Sequence, residues 1–252
     1  MSWTIQLEKE SSHQKGLDEL RDVVFKAMKA KKRIPLIFCA LRDDGEDGND
    51  KKDLPGGMTG SDTFRIGAAD DSGRAYKYVS YSDDLKATMY LFPGVDIKDV
   101  LSPEEDGAGE QDLDKAKLKL SNPGRDELME NGRTGSSIAT ALAAGLAGLL
   151  IHCTKLGAYY TRQMRDRRET VLDVVEPEAV GKNGTFPRMS TAFSKFGLPN
   201  KNGLKYANPG AVFEAAMQEL RASSKDGGVR LDEPATLKPI ATLSRTLFGD
   251  SR

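Results

Sequence analysis

One succession near the start of the chain constrains the fold more than any other feature: a short alternating segment, an amphipathic helix, then a run apolar on every side. Residues Trp3 to Leu7, "WTIQL", alternate as a half-buried strand does. In "LDELRDVVFKAMKAKK" (Leu17 to Lys32), Leu17, Leu20, Val24, Phe25 and Met28 fall on one helical face. Acids occupy its first turn and lysines its last, as the helix dipole favours. "RIPLIFCAL" (Arg33 to Leu41) is then apolar without alternation, the pattern of a strand covered on both faces of a parallel sheet. Strand, helix and buried strand make a βαβ unit, and the predicted class is α/β with a mostly parallel sheet.

Further strands are predicted at "TFRIGAA", "YKYVSY" and "TMYLF", ahead of Pro93 and Gly94. The stretch 98–131 is charged and rich in Gly and Pro, and reads as a surface insertion. A helix is expected from Ser137 through Cys153 and on into "AYYTRQMRDRR". The last part of the chain reads as less regular, with one helix over Ala211 to Ser223 among Gly/Pro/Asn-rich connections.

Composition narrows the functional classes. The 37 Lys and Arg balance 38 Asp and Glu, so no basic excess points to nucleic acid or to an anionic membrane surface. The two cysteines, Cys39 and Cys153, lie in apolar runs without framework spacing, which predicts free thiols in a reducing, intracellular setting, cytoplasmic by preference. The start "MSWTIQLEKE" lacks the basic-then-apolar pattern of a secretory signal. Ile138 to Cys153 is apolar with a GxxG pattern, but its roughly 16 residues fall short of the ~20 of a membrane span, and a core helix is expected. No Walker sequence, zinc-ligand cluster or dinucleotide loop occurs, and "DDGEDGNDKKD" fails the calcium-loop register. No cofactor or metal is therefore expected.

"NGRTGSSIATALAAGLAGLLIHC" (Asn131 to Cys153) carries the chemistry. Ser before an apolar helix is a helix-cap signal. It also places Ser137 at the positive end of a helix, where backbone N–H groups can stabilise an oxyanion, with small residues behind it for close packing.

"GSSIATALAAGLAGLL" resembles the nucleophile segment of the subtilisin-like serine peptidases, a Gly-Thr-Ser-x-Ala-Thr-Pro turn entering a Val-Ala-Gly-x-x-Ala-Leu-Leu helix. Upstream segments resemble the same family in the same order. "MSW" is similar to its Met-Ser-Leu-Gly strand, and "LRDVVFKAMKAKKRIPLIFCALRDDG" to its helix and buried strand ending in Ala-Gly-Asn-x-Gly. "LPGGMTGSDTFRIGAADDSGRAYKYVSYSDDLKATMYLFPGVDI" is similar to its Pro-Gly, Val-Gly-Ala-x-Asp, Ser-x-x-Ser and Ala-Pro-Gly segments.

The resemblance implies a subtilisin-like three-layer fold without its N-terminal part. Residues 1–160 would form the C-terminal half of a peptidase domain, and 161–252 an extension of unassigned role. It implies Ser137 as nucleophile, a peptide or protein as substrate, and Asp43 at the position of the family's oxyanion-binding Asn. There the match departs, because an ionised Asp accepts hydrogen bonds and cannot donate one. Ala141 also replaces the family's Pro, and Phe92 its Ala.

The family's Asp-x-Gly strand and His-Gly-Thr helix, which supply the base and its orienting acid, are not found; in the family both precede the Met-Ser-x-Gly strand. An upstream segment of a longer chain is the expected source. His152 is fifteen residues along the helix from Ser137, about 22 Å at 1.5 Å per residue. His13 lies in the polar loop "KESSHQKG", where no spacing marks it as a base. Two functions stay open: a serine endopeptidase segment inactive alone, and a degenerate module that binds a peptide or protein without cleaving it.

Overall fold

The computed structural model describes residues 36–45, 63–80, 89–97, 134–171, 174–199, 204–223 and 234–249, together with positions 16, 19, 22, 23 and 26. Three strands, β1 (Ile37–Ala40), β2 (Thr63–Ala69) and β3 (Met89–Pro93), pair in parallel, Ile37 opposite Thr63 and Arg65 opposite Met89. A hairpin of β4 (Gly197–Pro199) and β5 (Lys205–Ala207) completes the sheet. The order is β1-β2-β3-β5-β4, with β5 parallel to β3 and only β4 reversed. The class is α/β with a mostly parallel sheet, as the apolar runs predict.

All seven residues of β2 are buried, Thr63 and Arg65 included, so this strand is covered on both faces. Phe64, Ile66 and Ala68 alternate onto one face. Phe38 stacks on Phe64 at 4.9 Å between ring centroids, and Phe193 packs against Phe64, Tyr90 and Phe92 at 5.2, 5.7 and 5.3 Å. This aromatic cluster ties the helix that carries Phe193 to three neighbouring strands.

The first described helix, α1 (Ser136–Asp166), runs past Cys153 and through most of "AYYTRQMRDRR", the extension expected for it. By length and composition alone it could cross a membrane, with 44% of its most apolar window buried. Ala139, Ala143, Leu146, Ala147 and Leu150 join the sheet's core, while Leu142, Leu149 and Tyr159 are exposed. Three threonines lie on its buried face. Thr140, Thr154 and Thr161 each donate the hydroxyl to the carbonyl four residues back, at 2.6, 3.0 and 3.0 Å, and so are buried without an orphan proton.

Several expectations need correction. Tyr76 to Ser80, the described part of "YKYVSY", form no strand. Tyr76 accepts the Val79 N–H across a turn, and Val79 forms only an isolated bridge with Asp43. The backbone of this segment bonds to the loop after β1 instead, through Ser80 N–H to Arg42 O and Gly45 N–H to Tyr78 O, both 2.9 Å. β1 is also shorter than Arg33 to Leu41, and 33–35 lie outside the described residues.

The C-terminal part is more helical than expected. It holds α2 (Pro177–Asn183), α3 (Phe186–Phe196), α4 (Pro209–Ser223) and α5 (Pro234–Phe248). Prolines read as loop punctuation fall in first turns, where the missing N–H has no intrahelical partner to lose. The boundary expected after residue 160 falls inside α1, and the chain beyond it adds β4, β5 and part of the same core. The predicted strand Trp3 to Leu7 and the insertion 98–131 lie outside the described residues, as does most of the helix Leu17 to Lys32; positions 16, 19, 22, 23 and 26 are helical.

Candidate functional site

The carboxyl ends of β1, β2 and β3 deliver three loops to the start of α1, the end of a parallel sheet where binding sites characteristically lie. Gly94, after β3, donates its N–H to Ala69 O at 3.0 Å and accepts the Gly135 N–H at 2.8 Å. Asp96, next in that loop, donates its N–H to the Thr134 hydroxyl at 3.0 Å. The chain entering α1 is thus pinned to β3 from two directions.

Gly94 has no room for a side chain: a Cβ there would stand 2.9 Å from Ala68 Cβ and 3.0 Å from both Ala139 Cβ and Gly135 O. Gly135 has φ +148°, a conformation L side chains rarely adopt, and it occupies the cap position. Neither serine is therefore the cap. They are the first two residues of the helix, with opposite environments.

Ser136 is fully buried. Its N–H donates to Asp43 Oδ2 at 2.7 Å, its hydroxyl donates to Asp43 Oδ1 at 2.6 Å, and its Oγ accepts the Ala68 N–H at 3.1 Å. The capping role expected of a serine side chain is filled by a carboxylate reaching in from the loop after β1. A negative group at this end also opposes the helix dipole favourably.

Ser137 is exposed, and its hydroxyl has no hydrogen-bond partner among the described residues. The next two amides, of Ile138 and Ala139, turn back to Gly135 O at 3.1 and 3.3 Å. The Ser137 N–H has no partner among the described residues and stands beside its own hydroxyl as a donor. An exposed hydroxyl with a backbone N–H at a helix N-terminus is an arrangement that can receive a carbonyl carbon and its oxygen together.

The two residues singled out in the sequence do share one site, but they are not directly bonded. Both oxygens of Asp43 are engaged by Ser136, the residue that sequence reasoning passed over. The serine doublet was its visible trace: one serine to hold the turn and one left free. Tyr76 borders the same site. Burial pushes its hydroxyl up from the usual tyrosine range, and the neighbouring Tyr78, Asp43 and Asp96 push it further.

His152 is exposed on the same continuous helix, a distance of about 22 Å from Ser137 at 1.5 Å per residue. His13 lies outside the described residues. No group of three or more His, Cys, Asp or Glu side chains suited to a metal occurs among the described residues.

No protein-family model matches the chain, and no curated protein matches it. Among solved structures, the chain is similar to the prenylagaramide maturation protease PagA, with 16% identity and a TM-score of 0.39 over 82% of this chain and 56% of that one. It is similar to the self-cleaved protease domain of PatA to the same degree, covering 57% of that chain. The PatG macrocyclase in complex with peptide matches at 17% identity and a TM-score of 0.34, over 77% of this chain and 46% of that one. The chain thus spans about half the length of these structures, and superpositions this loose decide neither fold nor activity.

Proposed function

We propose that the chain carries the nucleophile segment of a subtilisin-type serine endopeptidase, with Ser137 forming the acyl-enzyme. The observation that carries this reading is the division of labour between the two serines. Ser136 is buried against Asp43, and Ser137 is held exposed beside a free backbone N–H at the carboxyl end of the sheet. In the proposed reaction Ser137 Oγ attacks the peptide carbonyl carbon while its proton passes to a base, and the Ser137 N–H donates to the oxyanion. The C–N bond then breaks, the amine leaves with that proton, and water hydrolyses the ester. The substrate is a peptide or protein, and the two buried free thiols suit an intracellular setting.

The base comes from outside the described residues, because His152 is too far along the helix. Losing the base alone costs about 10⁶ in kcat in subtilisin, so the chain by itself should turn over very slowly. A second reading, a peptide-binding module without cleavage, is favoured by Asp43: at the position of an oxyanion donor it offers only acceptor oxygens, both already engaged.

Fluorophosphonate labelling of the purified chain separates the two. Labelling that Ser137→Ala abolishes supports the nucleophile. Absence of labelling in folded protein, both alone and with a candidate base-bearing segment added, leaves the binding module.

A further inference from the structure

A second concave site lies among the helices that follow α1. A cavity of about 330 Å³ opens between α2, α3 and α5. Its floor is polar, although the helices around it pack through apolar side chains. Asn183 and Ser244 are buried in its lining, Asn183 at 5% exposure, and the buried Thr154 of α1 bonds to both from behind.

One hydroxyl organises these three groups. Thr154 Oγ1 donates its single proton to Leu150 O at 3.0 Å, and accepts from Ser244 Oγ at 3.1 Å and from Asn183 Nδ2 at 3.4 Å. Because that proton is already committed, Asn183 must turn its NH₂ toward Thr154, which fixes the orientation of the amide. Its Oδ1 then has no partner among the described residues. Asn183 lines the cavity, so this acceptor is open to a donor that enters it.

The walls divide by charge. Lys182, Arg188 and Arg245 line the cavity, with Arg188 anchored through its Nη1–H to Phe248 O at 3.2 Å. Glu176 and Glu178 stand on the α2 side, and Glu176 is bound by Arg165 through two bonds of 2.6 and 3.1 Å. Glu178 does not share those two bonds, though it too stands close enough to favour the Arg165 cation. Val175, Ala179 and Phe248 add an apolar wall.

We propose that this cavity binds a free α-amino acid with a small aliphatic side chain. The ligand carboxylate faces Lys182, Arg188 and Arg245. Its ammonium donates to Asn183 Oδ1 and faces Glu178, and its side chain packs against Val175, Ala179 and Phe248. The volume lies at the small end of ligand pockets, which suits a ligand of this size. From Ser137 to Thr154 the helix rises about 26 Å at 1.5 Å per residue, so the site is separate from the serine and does not depend on its role.

The test is calorimetric or NMR titration of the full chain with L-valine, up to about 10 mM. Saturable binding is expected, weakened at least about tenfold in N-acetyl-L-valine, which lacks the ammonium, and in L-valinamide, which lacks the carboxylate. Lys182→Gln, at an exposed position where the fold is not at stake, should weaken valine binding severalfold, while Ser137→Ala should leave it unchanged. No saturation by valine in folded protein overturns the proposal. So does equal binding of either blocked compound, or binding indifferent to Lys182→Gln.

Discussion

Ser136 gives both of its protons to Asp43, the amide to Oδ2 at 2.7 Å and the hydroxyl to Oδ1 at 2.6 Å. A loop residue 93 positions earlier in the chain thereby holds the first turn of α1, and the exposure of Ser137 follows from it. Ser136→Ala removes a bond to a charged acceptor and leaves the Ala68 N–H without its 3.1 Å acceptor. The expected loss is about 2 kcal/mol in urea unfolding, whereas Ser137→Ala, on the exposed side, should stay within about 0.5 kcal/mol of the parent. Equal effects at the two serines would contradict the assigned division of roles.

Asp43→Asn separates a positioning role from an oxyanion role. An Asn supplies a donor of the kind subtilisin-like peptidases use, so an Asp43 aimed at the oxyanion would predict faster fluorophosphonate labelling in the variant. In this structure each carboxylate oxygen accepts one proton of Ser136, and the NH₂ that replaces one of these oxygens in Asn cannot accept. The expected outcome is slower labelling of Ser137 and a stability loss of about 1–3 kcal/mol.

Gly94 tests the packing beneath the site. A Cβ at this position meets two side chains and a carbonyl within 3.0 Å, and the carbonyl belongs to Gly135 at the helix cap. Gly94→Ala should cost about 1–3 kcal/mol by overpacking and displace the start of α1, so labelling of Ser137 should fall with stability. Denaturant midpoints and labelling rates measured on the same preparations check both parts.

What the sequence disclosed and what it hid follow from how local each signal is. β2 was legible to the residue because both of its faces are buried and "TFRIGAA" is bounded by polar residues. The Gly135–Ser137 turn was legible because small residues leading an apolar helix have few other uses. The Asp43–Ser136 contact was not, since it joins positions 93 apart that no periodicity links. "YKYVSY" was misleading because tyrosine and valine suit strands, yet Tyr76 and Tyr78 pack edge-on at 5.4 Å above the loop after β1. The C-terminal helices were obscured by prolines that start them, and by Pro239 within α5.

Cys39 should make stability depend on pH in the alkaline range. Burial pushes its thiol from the ordinary 9.0 up to about 12, with Arg65 opposing slightly. Below pH 9 the thiol is protonated in both folded and unfolded chains and contributes no slope. Between pH 9 and about 12 the unfolded chain binds fewer protons than the folded one, so stability falls by up to about 1.4 kcal/mol per pH unit as pH rises. Unfolding of the parent and of Cys39→Ala across this window checks it: the variant should lose this part of the slope. In the native chain at pH 8 both buried thiols should resist a disulfide reagent that titrates them readily in urea.

Thr154→Val probes the polar floor between α1, α2 and α5 with nearly constant volume. Thr154 Oγ1 is the acceptor for both Ser244 and Asn183, each buried, so removing it strands two donors at once. The hydroxyl's own bond to Leu150 O is a minor loss by comparison, since that carbonyl belongs to a continuous helix. The expected cost is on the order of 3 kcal/mol, well beyond the value for an isosteric change in an apolar core. Adding Ser244→Ala to Thr154→Val removes one of the stranded donors and should recover part of the loss. A double-mutant cycle with favourable coupling between the two changes is the predicted result, and strict additivity would show that the three groups do not act as a network.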